Sequence, residues 1–78
     1  MSVRHEFVEK DGIRITYLAD NVCFEDMTTA DSILISNDGR ILHNNFDKER
    51  TEYFVQYFNK IYETIQTFRD LDTAEEAG

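Results

Sequence analysis

From Lys48 onward, apolar residues recur at steps of four, three, four and three: Phe54, Phe58, Ile61, Ile65 and Phe68, with Val55 and Tyr62 flanking. At about 100° per residue these positions fall in one stripe. Glu52, Gln56, Asn59, Lys60, Glu63, Gln66 and Asp70 fall opposite. The pattern predicts one long amphipathic helix, with Asp47 placed to accept from the free N–H groups of its first turn. Acidic residues after Arg69 oppose the helix dipole, so fraying is expected there. The sequence thus divides into a single domain over 1–71 and an acidic, disordered tail over 72–78.

Before the helix, the period is two. Residues 3–19 read as a β-hairpin around Asp11–Gly12, because tight hairpin turns need the positive φ that glycine adopts. A two-residue turn sets Val8 opposite Ile15. A three-residue turn pairs Glu9 with Ile13 and Phe7 with Ile15, and gathers Val3, Phe7, Ile13, Ile15 and Tyr17 on one face. The second register is preferred, since a one-residue slip scatters that set. Residues 32–44 repeat the pattern around Asn37-Asp38-Gly39, pairing Ile35 with Ile41, Ile33 with His43 and Leu34 with Leu42. The expected fold is α+β, with two consecutive β-hairpins forming a four-stranded antiparallel sheet packed against one long C-terminal amphipathic helix. The intervening residues 20–31, DNVCFEDMTTAD, fit a loop, a short helix through Phe24 and Met27, or an edge strand through Val22 and Phe24.

Charge changes the picture. The net charge of −8 comes from two stretches without a base: Asp20, Glu25, Asp26 and Asp31 in 20–31, and Asp70, Asp72, Glu75 and Glu76 in 70–78. Elsewhere acids and bases balance. The expectation is a neutral platform with two acidic appendages, suited to a basic partner and repelling nucleic acid and anionic membranes. Cys23 is the only cysteine, so the chain reads as an intracellular, cytoplasmic protein without a disulfide. The longest apolar run, Ile33–Ile35, predicts neither a membrane span nor a signal peptide.

Dimensions add a partner of another kind. A helix over 48–71 spans about 36 Å, against roughly 20–23 Å for strands of six or seven residues. The overhanging end carries Ile65 and Phe68, and leaving them bare forgoes about 1.5–3 kcal/mol each. A homodimer with paired helices through Ile61, Ile65 and Phe68 is therefore expected.

Chemistry is sparse. The chain has no phosphate-cradling glycine loop, nucleophile elbow or zinc-type cysteine pair. The Asp-Gly turns lack calcium-loop spacing, because Phe7 and Leu34 stand where ligands would be needed. Cys23, His5 and His43 come from separate segments with no metal spacing. No catalytic residue, cofactor or metal is assigned, and the chain is read as a non-enzyme. Asp20, Glu25, Asp26 and Asp31, with Tyr53 and Tyr57 at the edge of the helix stripe, are the candidate partner-binding residues.

In size, charge and single-domain economy the chain resembles small phage-encoded inhibitors of host defence, including anti-CRISPR and anti-restriction proteins. The resemblance implies an inhibitor or adaptor engaging a basic, nucleic-acid-binding surface of a protein partner. DNA mimicry by the helix alone is a poor fit. Glu49, Glu52, Glu63 and Asp70 give one charge per roughly 8 Å of helix, against one per roughly 1.7 Å on duplex DNA. The alternative is a small homodimeric structural or adaptor subunit whose acidic segments only confer solubility.

Overall fold

The computed structural model describes the backbone of residues 4–77 and the side chains of residues 4–71. Five strands precede one helix: β1 (His5–Lys10), β2 (Ile13–Tyr17), β3 (Asn21–Asp26), β4 (Ser32–Ser36), β5 (Ile41–Asn44) and α1 (Lys48–Ala77). The strands form one antiparallel meander in the order β1-β2-β3-β4-β5. The fold is α+β as expected, but the sheet has five strands rather than four.

The added strand is the segment with the least legible pattern. Residues 21–26 form the middle strand of the sheet, neither loop, helix nor edge. Val22 and Phe24 are fully buried on the helix side, where they pair with Tyr17 and Ile15 on β2 and with Ile35 and Ile33 on β4. Half of the supposed acidic appendage is therefore framework.

Both hairpin registers differ from expectation through a bulge within the strand. In the first it replaces the longer turn and keeps the apolar face, while in the second the expected turn is present and the exposed β5 shifts beyond it. Asp11 (φ 53°) and Gly12 (φ 80°) form a two-residue turn with both central residues left-handed, whose twist suits paired strands. Val8 faces Ile15, and an irregularity between Glu6 and Val8 leaves Phe7 free to join the same core. In the second hairpin Ile35 pairs with Ile41 as expected. The strand then bulges, so that Leu34 meets His43 and Ile33 meets Asn44.

Helix α1 starts where the sequence places it. Arg50 N donates to Asp47 Oδ1 at 2.8 Å, and Thr51 N to the Asp47 carbonyl at 2.9 Å. The helix crosses the sheet diagonally, from β3, where Phe54 meets Phe24, towards β1, where Phe68 meets Phe7. Crossing from β3 to β1 traverses two strand spacings of about 4.8 Å, so over strands roughly 19 Å long the path measures about 21 Å. The oblique path covers Ile65, while Phe68 stays 38% and Leu71 58% exposed. Ile65 is fully buried within its own chain, so the overhang argument for a second copy no longer holds at that residue. The helix does not stop near the expected boundary at 71: its backbone continues to Ala77, and the side chains of 72–78 lie outside the described residues.

Two arginines fasten the helix. Near its end, Arg69 donates to the Leu18 and Asn21 carbonyls at 2.9 and 3.0 Å. Near its start, Arg50 Nη1 lies 3.0 Å from Asp26 Oδ2. Asp26 is a buried residue on the helix-facing side of β3, and its other oxygen accepts from Thr28 N at 2.8 Å and Thr29 N at 3.4 Å. The Thr28 N–H and hydroxyl, then Arg50 and Thr29, hold this carboxyl below its ordinary range.

Two outcomes follow from this packing. Ile65→Ala lowers unfolding stability by about 2–5 kcal/mol; the loss in urea titrations is the same at low and high protein concentration, because the contact lies within one chain. Asp26 has a depressed folded pKa, so its contribution is complete above the ordinary aspartate value of about 3.9. It disappears as pH falls through the lower folded value. Asp26→Asn is less stable at neutral pH and shows a shallower acid limb in urea midpoints; parallel acid limbs for both proteins contradict the assignment.

Candidate functional site

At one end of the sheet the Asp11–Gly12 turn, the β3–β4 loop and the first turns of α1 come together. Met27 N donates to the Gly12 carbonyl at 2.8 Å, tying loop to turn. Asp26 N donates to the Asp31 carbonyl, and Ala30 N to the Asp26 carbonyl, each at 2.8 Å. Ala30, at φ 65°, closes the loop. The carboxylate of Asp26 then reaches α1 through Arg50.

These elements frame a cleft of about 430 Å³ lined by Asp11, Ile13, Asp26, Thr28, Glu49, Arg50, Tyr53 and Phe54. A smaller cleft between β1–β2 and α1 adjoins it, sharing Asp11, Ile13, Tyr53 and Phe54 and adding Val8, Lys10, Ile15 and Tyr57. Tyr53 belongs to both and is 59% exposed, so its ring is available as a wall. Tyr57 lies one turn on, with ring centroids 6.1 Å apart, and its other edge meets Phe24 at 5.7 Å. The sequence-predicted tyrosine pair is therefore brought to one place, half anchored and half open.

The electrostatics of the first cleft are one-sided. It presents three carboxylates and one guanidinium. That guanidinium is engaged already, paired to Asp26 and stacked over the rings of Phe46 (4.9 Å) and Phe54 (5.7 Å). Among the described residues, Asp11 and Glu49 have no ion-pair partner, since the pairs formed are Arg50–Asp26 and the loose, exposed Arg14–Glu6 at 4.0 Å. Unpaired carboxylates beside aromatic walls suit a cationic side chain. Lys10, in the adjoining cleft, marks where that preference ends.

The four acids of residues 20–31 are not brought together. Asp20 sits in the β2–β3 turn at the opposite end, accepting from Asn21 Nδ2 at 2.8 Å. Glu25 is half-buried and pairs with Arg14 and Ser32, on the sheet face away from the helix. Asp26 is a buried structural anchor rather than a free surface charge. Asp31 lies half-buried in the β3–β4 loop, engaged through its backbone. A strand alternates its side chains between faces, so a run of acids along one cannot make a single patch. Asp11 and Glu49 are the acids the sequence reading passes over as site residues: Asp11 figures there as a turn former, and Glu49 as one charge on the polar helix face. An acid at a hairpin tip and another in a helix's first turn share a surface only once the topology is known.

Of the expected dimer residues, Ile65 is buried, Ile61 half-buried, and Phe68 38% exposed with its ring centroid 5.0 Å from that of Phe7. Cys23 is half-buried on the sheet face away from the helix, where burial pushes its thiol up and Arg4 partly offsets the shift. His5 stacks on Tyr17 at 5.3 Å, and His43 contacts Asn45 Oδ1 at 2.8 Å. Among the described residues no group of three or more His, Cys, Asp or Glu converges as a metal site, and no helix is long and apolar enough to cross a membrane.

Comparison of the chain with protein-family models, with curated proteins and with solved structures found no match.

Proposed function

We propose that this chain is a non-enzymatic, acidic protein-binding module, an inhibitor or adaptor that engages a basic segment of a partner protein. The observation that carries the reading is the cleft at the start of α1. Asp11 and Glu49 stand there unpaired beside the exposed ring of Tyr53, and the one arginine in reach is held by Asp26. A lysine or arginine entering this cleft gains two carboxylates and an aromatic wall without displacing an existing pair.

The scale of the cleft narrows the partner. It accepts one or two cationic side chains, not a track of phosphate-binding residues, so the mode is recognition of a local basic segment rather than imitation of a duplex. Apolar Ile13 and Phe54 at the cleft floor favour a segment that carries an aliphatic residue beside its cation. Inhibition of a nucleic-acid-binding protein, as in the anti-defence proteins the chain resembles in layout, is one role such a contact serves.

The test is calorimetric titration with an octa-arginine peptide and with an Arg-Leu alternating peptide. Binding weakens markedly between about 0.05 and 0.5 M salt, because exposed charge pairs are screened over that range. Asp11→Asn combined with Glu49→Gln lowers affinity about tenfold or more, the scale of a lost charge-assisted pair. Asp20→Asn, at the far end, leaves it unchanged. Equal affinity at both salt concentrations, or equal loss from the Asp20 variant, overturns the reading.

A further inference from the structure

Beside the buried stripe of α1 runs a second one. Tyr57, Ile61, Thr64, Phe68 and Leu71 recur at steps of four, three, four and three, within about 80° of the helix surface on the β1 side. Tyr57 and Ile61 are half-buried, Thr64 is exposed, Phe68 is 38% exposed and Leu71 58%. This is more apolar surface than the sheet covers, and it continues past the last strand contact.

Its charge differs from that of the rest of the molecule. The chain carries twice as many acids as bases, yet none of these five positions is charged. Along the outer border stand Lys60 and Thr67, while Glu63 and Asp70 lie further round the helix. A basic partner finds no carboxylate to meet here. A second copy of the same stripe meets no like charge.

We infer that this stripe is the interface of an isologous antiparallel dimer, with two copies of α1 crossing at Thr64. A two-fold contact must be self-complementary, and the spacing supplies that. With Thr64 facing its own copy, Tyr57 meets Leu71 of the second copy, Ile61 meets Phe68 of the second copy, and Lys60 meets Thr67 of the second copy. The large side chains pair away from the axis, and the small threonine at the axis lets the helices approach. A parallel pairing instead sets the two Asp70 residues, in the last described turn, at the same end, whereas the antiparallel one carries them to opposite ends. A seam of about 21 Å between helices about 10 Å wide has a footprint of about 400 Å² over the two partners, with Tyr53 and Phe7 at its margins adding to it. That is smaller than a standard interface, so a weak, reversible dimer is expected, with a dissociation constant of about ten micromolar or above.

Sedimentation equilibrium over a micromolar concentration series tests this. The expected result is a reversible dimer that tightens as salt rises, because screening weakens repulsion between two acidic bodies. Thr64→Glu and Thr64→Lys each give monomers whose urea unfolding matches that of the wild-type chain at concentrations low enough to dissociate its dimer, since Thr64 is exposed and outside the core. Mixing the two variants restores the dimer, as only a crossing at Thr64 allows. Monomeric wild-type protein throughout the series at high salt overturns the inference. So does a Thr64→Glu variant that associates like wild type, or a mixture that stays monomeric. Thr64→Glu retains octa-arginine binding, which separates failure of this inference from failure of the basic-segment reading.

Discussion

The rest of the structure depends on where one carboxylate sits. Asp26 ends the middle strand facing the helix, and its two oxygens serve different masters: one orders the β3–β4 loop through Thr28 and Thr29, the other receives Arg50 from the helix. The same loop is tied by Met27 to the Asp11–Gly12 turn. Three segments far apart in sequence are thereby fixed at one end of the sheet. Buried polar groups are tolerated only when their hydrogen-bonding capacity is met, and here that requirement places the start of the helix. Arg69 does the corresponding work at the other end, on the carbonyls of Leu18 and Asn21. Between these two anchors the apolar stripe has little freedom to slide.

This arrangement alters the meaning of the net charge. By sequence, residues 32–69 are balanced, with five acids and five bases. In space, Arg50 and Arg69 are turned inward to hold the fold, while Asp38, Asp47, Glu49, Glu52 and Glu63 stay exposed. The region that looked neutral is acidic on its outside. Conversely, Asp26 is withdrawn into the fold and Glu25 faces a mixed row with Arg14. Charge counted along a chain misleads when the arginines do structural work and the carboxylates do not, because the long guanidinium side chain reaches buried acceptors that lysine and glutamate rarely meet.

What the sequence made legible was what repeats. The helix, its cap at Asp47, its buried stripe and the two Gly-containing turns were readable because each rests on local spacing. The middle strand was not. Its apolar content is only Val22, Cys23 and Phe24, its ends are Asn21 and Asp26, and each end is held from the distant helix: Arg69 on the Asn21 carbonyl, Arg50 on the Asp26 carboxylate. The two bulges were equally hidden, since a bulge at Phe7 and a longer turn at Gly12 satisfy the same hydrophobic pattern. Tyr53 and Tyr57 could be named from the helix edge, but Asp11 and Glu49 join them only through the meander topology.

The helix thus presents two surfaces of opposite physical character, and they overlap at Tyr57. Towards its first turn, the flank ends in a cleft whose unpaired carboxylates favour cations. Towards its last described turns, it is a charge-poor apolar ridge. Ionic strength pulls these in opposite directions: screening weakens an attraction between unlike charges and relieves a repulsion between like ones. A chain with its excess charge spread evenly over every face offers no such separation. The two surfaces lie on one flank of α1 and differ by which end of the helix they occupy: carboxylates gather at the cleft beside the first turns, and none stands on the ridge from Tyr57 to Leu71.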